Sequence, residues 1–312
     1  MENTSEYPGF ATRGLNVQIQ TTSVCTGKCI ICPYLESWHK KNPGVMSDAI
    51  FHSILEQLSS FPVRKICPYL ENEPLADPQI FPRIAQIRAA FPSVLIEVST
   101  NALALKKKNV DKLIAALDGG PHEIWISFHG ADQKSFEGIM GIPFDVCLNN
   151  IIHLLKVAQS VPLSIKIRGA GLGRVAALKH DFSFSEHTYL AFWEKIFIDN
   201  DIVKRPQVQF FTYHDRAGTI HRNAIRLEEP VRPELKGFTC SRLTDWLHFL
   251  YTGELILCCM DYHRETVFGD LRTQTLNEIL QSSAASTLAQ KICGLVESAP
   301  NFICKRCLSP GG

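Results

Sequence analysis

Apolar positions in the first two thirds of the chain follow two alternating patterns. Short β-branched runs predict strands at Leu15 to Gln20, Arg64 to Leu70, Val94 to Thr100, Glu123 to Phe128, Leu163 to Arg168 and Gln207 to Thr212. Between them apolar residues recur at helical spacing: Ile50, Ile54 and Leu58; Ile80, Ile84, Ile87 and Phe91; Val110, Leu113, Ile114 and Leu117. Such stripes are what helices burying one face require. Two more helices are predicted, about Phe144 to Gln159 and about Ser185 to Ile198, and Gly119-Gly120 supplies a stop before the fourth strand. Six strand–helix repeats imply an α/β fold with a parallel sheet, because parallel strands need helical crossovers. A complete eight-unit barrel takes about 250 residues, so roughly 200 predict a partial (β/α)6 barrel with functional residues at the C-terminal strand ends.

The pattern then changes. Residues 1–13 read as an extension, 14–225 as the partial barrel, and 226–239, with Pro230 and Pro233 among charges, as a linker. Residues 240–312 predict a small C-terminal domain. In it, Trp246 to Leu250 and Leu255 to Cys258 flank Tyr251-Thr252-Gly253-Glu254 as a β-hairpin, followed by a short helix at about Thr275 to Gln281 and a Cys-rich tail.

Composition narrows the function classes. With 45% hydrophobic and 20% charged residues, the chain has the make-up of an ordinary globular protein. A formal charge of +1 excludes a broad electrostatic footprint for nucleic acid. The longest single-sign run, Lys106 to Lys108, reads as a solvated helix edge. No apolar stretch reaches the roughly 18 residues of a membrane span, and Glu2, Glu6 and Pro8 stand where a signal peptide needs an apolar run. The expectation is a cytoplasmic protein with neither a nucleic-acid nor a membrane partner.

Eleven cysteines do not fit an ordinary enzyme. In a cytosolic chain they point to metal or catalytic roles before disulfides. Cys25, Cys29 and Cys32 form one cluster, and Cys240, Cys258, Cys259, Cys293, Cys304 and Cys307 crowd the last quarter. Cys67, inside a strand, and Cys147, on a helix face with Ile151 and Leu154, read as core.

Cys25-Thr-Gly-Lys-Cys29-Ile-Ile-Cys32 follows the first predicted strand. Three thiolates on one loop can hold three irons of a [4Fe–4S] cube and leave the fourth open, whereas a structural zinc site wants four protein ligands. A zinc loop borrowing a distant fourth ligand is the alternative. This CxxxCxxC on a partial barrel resembles the radical S-adenosylmethionine (radical SAM) superfamily. Tyr69-Leu70-Glu71-Asn72-Glu73-Pro74-Leu75 is similar to its Gly-Gly-Glu-Pro element, with Glu71-Asn72 for the two glycines. Ser99-Thr100-Asn101 resembles its Thr-Asn-Gly, with Ala102 for Gly; Ser127-Phe128-His129-Gly130 its Ser-x-Asp-Gly; and Ile139-Met140-Gly141 its Ile-Arg-Gly. The resemblance implies Glu73, Thr100, Asn101, Ser127 and Arg168 as SAM contacts. It also implies a reduced cluster that cleaves SAM to a 5′-deoxyadenosyl radical, which removes a hydrogen from substrate.

Cys240 and Cys258, spaced around Gly253, together with Cys304-Lys-Arg-Cys307, supply four more thiols. They resemble the auxiliary-cluster "twitch" half of SPASM domains and imply one auxiliary [4Fe–4S] cluster, with a Cys₄ zinc site as the alternative. Cys293 is either a swapped ligand or packing. Cys259 is expected to point away from Cys258, since neighbours on a strand face opposite sides. It is either a packed thiol or a hydrogen donor facing substrate.

Tyr213-His214-Asp215-Arg216-Ala217-Gly218 ends the sixth strand, and its Arg-small-Gly element resembles that of radical SAM dehydrogenases acting on 2-deoxy-scyllo-inosamine. The resemblance implies Arg216 as the residue that binds or deprotonates a substrate hydroxyl; a loop salt bridge to Asp215 is the alternative. His214, Tyr213 and Asp261 are further candidates for hydroxyl contacts. The function expected is oxidation of a sugar- or aminocyclitol-like carbinol to a ketone, fed by a flavodoxin- or ferredoxin-type reductant. The alternatives are epimerisation with Cys259 as donor, peptide modification, and a non-catalytic Fe–S or zinc module.

Overall fold

The structure is a computed structural model and describes residues 10, 14–171, 182, 184–212, 217 and 232–307. One sheet runs through it, in the order β6-β5-β4-β3-β2-β1-β7-β8-β9. The strands are β1 (Leu15–Ile19), β2 (Val63–Cys67), β3 (Leu95–Thr100), β4 (His122–Ser127), β5 (Ile165–Gly171), β6 (Gln207–Thr212), β7 (Trp246–Phe249), β8 (Glu254–Ile256) and β9 (Val267–Asp270). β1 to β6 are all parallel, joined through helices that include Asp48–Leu58, Ile80–Ala90, Lys107–Leu117, Phe144–Val157 and Glu186–Asp199. This is the expected partial barrel.

Most strand ends differ from expectation by a residue or two, and β2 and β5 depart furthest. β2 stops at Cys67 rather than Leu70 because Pro68 has no N–H for the ladder. β5 starts at Ile165 and runs on to Gly171, pairing Gly169, Ala170 and Gly171 with Phe210, Phe211 and Thr212. The predicted hairpin forms around Gly253, whose φ of +91° is the left-handed conformation its turn demands. β9 and the helix Ser283–Ile292 were not read from the sequence.

The hairpin is not a detached module. β7 pairs in parallel with β1, Asn16 beside Trp246 and Gln18 beside His248, so the C-terminal strands extend the barrel sheet. Leu247, Phe249, Leu255, Phe268, Leu276 and Ile279 share one core with the barrel. A smaller core of Leu235, Leu243, Leu257, Ile292 and Ile303 lies around the C-terminal cysteines. No single described helix is long and apolar enough to cross a membrane.

Strand alternation explains where the ligand space lies. Val17, Ile66, Ile96, Val98, Ile124, Ile126 and Ile167 are fully buried in the main core. Their alternates Gln18, Lys65, Glu97, Ser99, Trp125, Ser127 and Arg168 line a single cavity of about 360 Å³. Complete barrels fill the interior with layers of branched apolar side chains; here that face is polar and stays open.

Arg83 braces the rim. It is buried, donates to Thr21 O at 3.0 Å and Asp77 Oδ2 at 2.8 Å, and also holds Met46 O and Asp48. Losing one partner of a buried, hydrogen-bonded pair costs about 3–5 kcal/mol. Arg83→Met is therefore expected to lower the unfolding free energy by that order, seen as a lower chemical denaturation midpoint, with Asp77 deprived of its buried cation. An unchanged midpoint would show that the brace carries no net stability.

Candidate active site

The cysteine loop leaves β1 through buried Thr21, Thr22 and Ser23, tied to Gly44 by Ser23 N–H at 2.9 Å. Further on it is stitched to the Ile139-Met140-Gly141 segment: Lys28 N–H donates to Met140 O at 2.9 Å and Ile30 N–H to Ile139 O at 2.8 Å. Cys25 N–H donates to Tyr34 Oη at 2.9 Å. A Cβ on Gly27 would lie 3.3 Å from Cys29 Sγ and 3.7 Å from Cys25 Sγ, so the loop passes close against both thiols at this point. Burial, then the Glu73 carboxylate and the Cys29 and Cys32 thiols, push the Cys25 thiol well above its ordinary value. A Cys25 thiol so disfavoured as an anion suits a cationic iron–sulfur group, which removes that penalty when bound.

Glu73 ties the ends of β2 and β3 together. Its carboxylate accepts from Thr100 Oγ1 at 2.7 Å, Asn101 N–H at 2.8 Å and Leu75 N–H at 3.2 Å. Burial dominates those donors and raises its carboxyl from the ordinary 4.5 to about 7. Asn101 Nδ2 reaches Thr26 Oγ1 of the cysteine loop at 3.1 Å. Ala102, standing where the family has Gly, takes a φ of +64°. The residues replacing the two glycines turn to local work: Glu71 pairs with His39 at 2.5 Å, both side chains fully buried, and Asn72 Oδ1 accepts from Leu70 N–H at 3.0 Å. His129, standing for Asp, accepts from Ala170 N–H at 3.0 Å through Nδ1 and so secures β5.

Glu73, Thr100, Asn101, Ser127 and Arg168 all line the cavity that Cys25, Cys29 and Cys32 open onto. Its floor holds groups that sequence reasoning missed. Lys65 donates to Glu97 Oε2 at 2.8 Å, and Tyr69 donates to the same carboxylate. Cations and rings alternate across the floor. Arg168 stands 4.9 Å from the Phe211 ring and 4.4 Å from Trp125, and Lys65 lies 5.8 Å from Trp125 and 5.3 Å from Trp246. Arg242 follows, 4.3 Å from the other end at Trp246. A signal was available: Lys65 and Glu97 are charges in the middle of strands, Glu97 between Ile96 and Val98.

Cys240, Cys258, Cys304 and Cys307 line a second cavity, of about 70 Å³, with Leu257, Met260 and Ile303. Desolvation by burial raises the Cys258 thiol well above its usual value, with Cys259 and Cys304 adding to it, and raises Cys304 likewise. Cys293 does not line this cavity and packs half-buried on the small apolar core. Cys259 lines the other cavity and packs near Leu70, Leu250 and Ile256. The two neighbours do face different spaces, but from the turn after β8 rather than from a strand. Cys67 and Cys147 are core, as expected.

Arg242 borders both cavities. Asp261 is consumed locally, accepting from Glu265 N–H at 2.8 Å, Thr266 N–H at 2.7 Å and Thr266 Oγ1 at 2.6 Å, and does not reach the larger cavity. Tyr213, His214, Asp215 and Arg216 lie outside the described residues. Among the described residues no three His, Cys, Asp or Glu side chains converge as around a single ion. The two thiol sets line separate cavities.

Residues 240–308 match the SPASM family, an iron–sulfur cluster-binding domain. No curated protein matches the whole sequence significantly. Among solved structures, the fold is similar to that of BtrN in complex with AdoMet and 2-DOIA, with 14% identity, a TM-score of 0.59, and coverage of 96% of this chain and 94% of that one. Streptococcus suis SuiB bound to precursor peptide SuiA gives 12% identity and a TM-score of 0.66 over 95% and 77% of the two chains. Native anSMEcpe with bound AdoMet gives 11% identity and a TM-score of 0.59 over 88% and 82%. The chain thus shares the fold of these solved structures, among them ones holding AdoMet, and carries a SPASM iron–sulfur match over residues 240–308.

Proposed function

We propose that this radical SAM/SPASM chain oxidises a carbinol carbon of a polar small molecule, sugar- or aminocyclitol-like, to a ketone. In this reading Cys25, Cys29 and Cys32 hold the SAM-cleaving cluster. Glu73, Thr100, Asn101, Ser127 and Arg168 border the SAM, and Cys240, Cys258, Cys304 and Cys307 hold the auxiliary cluster. When bound, the first cluster supplies the electron that cleaves SAM to methionine and a 5′-deoxyadenosyl radical. A flavodoxin- or ferredoxin-type protein would deliver that electron.

The substrate loses a hydrogen atom from carbon, a proton from its hydroxyl and one electron, which together make a two-electron oxidation. The hydrogen atom would go to the SAM-derived radical, and the electron to the auxiliary cluster that Cys240, Cys258, Cys304 and Cys307 would hold. Arg216 or His214 would take or relay the proton. The observation that carries the reading is the shared wall. Arg242 borders both cavities while Cys258 opens onto one and Cys259 onto the other, so the place where substrate is oxidised adjoins the place that accepts its electron. A floor built from Lys65, Glu97, Tyr69 and Arg168 supports a hydroxylated or acidic small ligand. BtrN, of similar fold, was solved with 2-DOIA.

Cys259 on the wall of the larger cavity supports a second reading, return of a hydrogen atom to the opposite face to give an epimer. Polyols deuterated at the carbinol carbon separate the two under anaerobic turnover. Deuterium in 5′-deoxyadenosine with a ketone product, unaffected by Cys259→Ala, is the expected result. A product of unchanged oxidation state that disappears in Cys259→Ala would replace oxidation by epimerisation. A modified peptide as the sole product would exclude both.

A further inference from the structure

The loop that carries Cys258 and Cys259 also reaches the other thiol set. Two residues beyond Cys259 it is clamped by Asp261, whose carboxylate takes three donors from Glu265 and Thr266. The next residue, Tyr262, is buried and lines the larger cavity. Its backbone carbonyl accepts Trp38 N–H at 3.0 Å, and its Oη stands 3.6 Å from Cys32 Sγ. Arg264, ion-paired with Glu254, lies 4.7 Å from the Trp38 ring and closes the same contact from outside. One residue of the SPASM region is thus fastened at both ends to the segment that begins with Cys32.

We infer that Tyr262 is a positioning and tuning residue for the first cluster, donating its O–H to the Cys32 sulfur and raising the cluster's reduction potential. The inference rests on the reading of Cys25, Cys29 and Cys32 as cluster ligands. A metal-bound thiolate has no proton, so between Cys32 and Tyr262 only the phenol can donate. Adding an electron to a cluster increases the negative charge on its sulfurs. A donor aimed at one of them therefore stabilises the reduced state more than the oxidised one, and hydrogen bonds to sulfur are a recognised lever on such potentials. The contact is partly buried, with Tyr262 itself buried, and there a hydrogen bond to a charged group counts for more than it does in water. Because the donor sits on the loop that also contributes Cys258, the SPASM region sets how readily the barrel's own cluster is reduced.

The test is a potentiometric titration, followed by electron paramagnetic resonance, of the anaerobically reconstituted full chain and its Tyr262→Phe variant. The Cys25/Cys29/Cys32→Ala protein identifies which signal is auxiliary. Phe keeps the ring and the carbonyl that binds Trp38, and removes only the hydroxyl. The expected result is a lower midpoint for the first cluster, its reduction equilibrium weakened by about tenfold, which is about 59 mV for one electron, with the auxiliary midpoint unmoved. Installing 3-fluorotyrosine at position 262, a stronger donor of the same shape, is expected to move the first midpoint upward, and keeps the test open if the Phe variant loads iron poorly. A first-cluster midpoint that ignores both changes overturns the inference, as does an equal shift of both clusters, which would mean general loosening. If the Ala protein lacks no signal present in the parent, the ligand assignment itself has failed, a result distinguishable from an unmoved midpoint.

Discussion

Replacing Cys25, Cys29 and Cys32 together with alanine is expected to abolish SAM cleavage while leaving a folded, iron-containing protein. Each set of thiols surrounds its own cavity, and cubes with four irons each predict about eight irons in the reconstituted parent and about four in the variant. The variant should fold because its loop is also held by backbone donors: Lys28 N–H to Met140 O, Ile30 N–H to Ile139 O, and Cys25 N–H to Tyr34 Oη. Alanine preserves all three. 5′-Deoxyadenosine formation from SAM and dithionite, with iron and sulfide counted in parallel, checks both halves. Zinc in place of iron would remove the radical reading altogether, and cleavage that survives the substitution would overturn the assignment of Cys25, Cys29 and Cys32 as ligands of the SAM-cleaving cluster.

Cys258→Ala and Cys259→Ala, one residue apart, are expected to behave oppositely. Cys258 shares its cavity with Cys240, Cys304 and Cys307, so its loss should empty the auxiliary site and bring iron down by about four per chain. The apolar core beneath is small, chiefly Leu235, Leu243, Leu257, Ile292 and Ile303. A local core with so little to bury depends on its metal group for folding energy, even though the neighbouring strands share the barrel core. Faster proteolysis of the C-terminal region should therefore accompany the iron loss. Cys259 packs near Leu70, Leu250 and Ile256 and opens onto the other cavity, so its alanine variant should keep about eight irons and its resistance to protease. Equal iron loss in both variants would mean that the two thiols share one cluster. Iron loss only in Cys259→Ala would exchange their assignments.

Much of this chain could be read from local pattern. Helical stripes such as Val110, Leu113 and Leu117 needed no tertiary information, because a helix must bury one face and its period is fixed. Pro68 could have ended β2 in the reading, since a missing N–H is a local fact. The four C-terminal thiols were legible as a set from Gly253 at a hairpin turn and the CxxC near Cys307. β9 and the helix Ser283–Ile292 were not, because the strand is four residues long and the helix stripe is built of alanines, which give little hydrophobic contrast.

The strand register decided what periodicity alone could not. Lys65 and Glu97 are legible as charges inside strands, but only the parallel pairing of β2 with β3 brings them within 2.8 Å of each other over a shared cavity. The parallel pairing of β7 with β1 makes the C-terminal strands part of the barrel sheet, and no local feature announces it. The contact of Tyr262 with Cys32, 230 positions apart, is of the same kind. The sequence by itself determined the elements, the two thiol sets and the family they resemble, because periodicity, turn chemistry and ligand spacing act over a few residues. The tertiary structure alone decided which way each Cys of the Cys258-Cys259 pair faces, how the polar lumen is assembled and how the SPASM loop touches the first thiol set. Those depend on which strands become neighbours, and that is settled by the free energy of the whole core rather than by any segment.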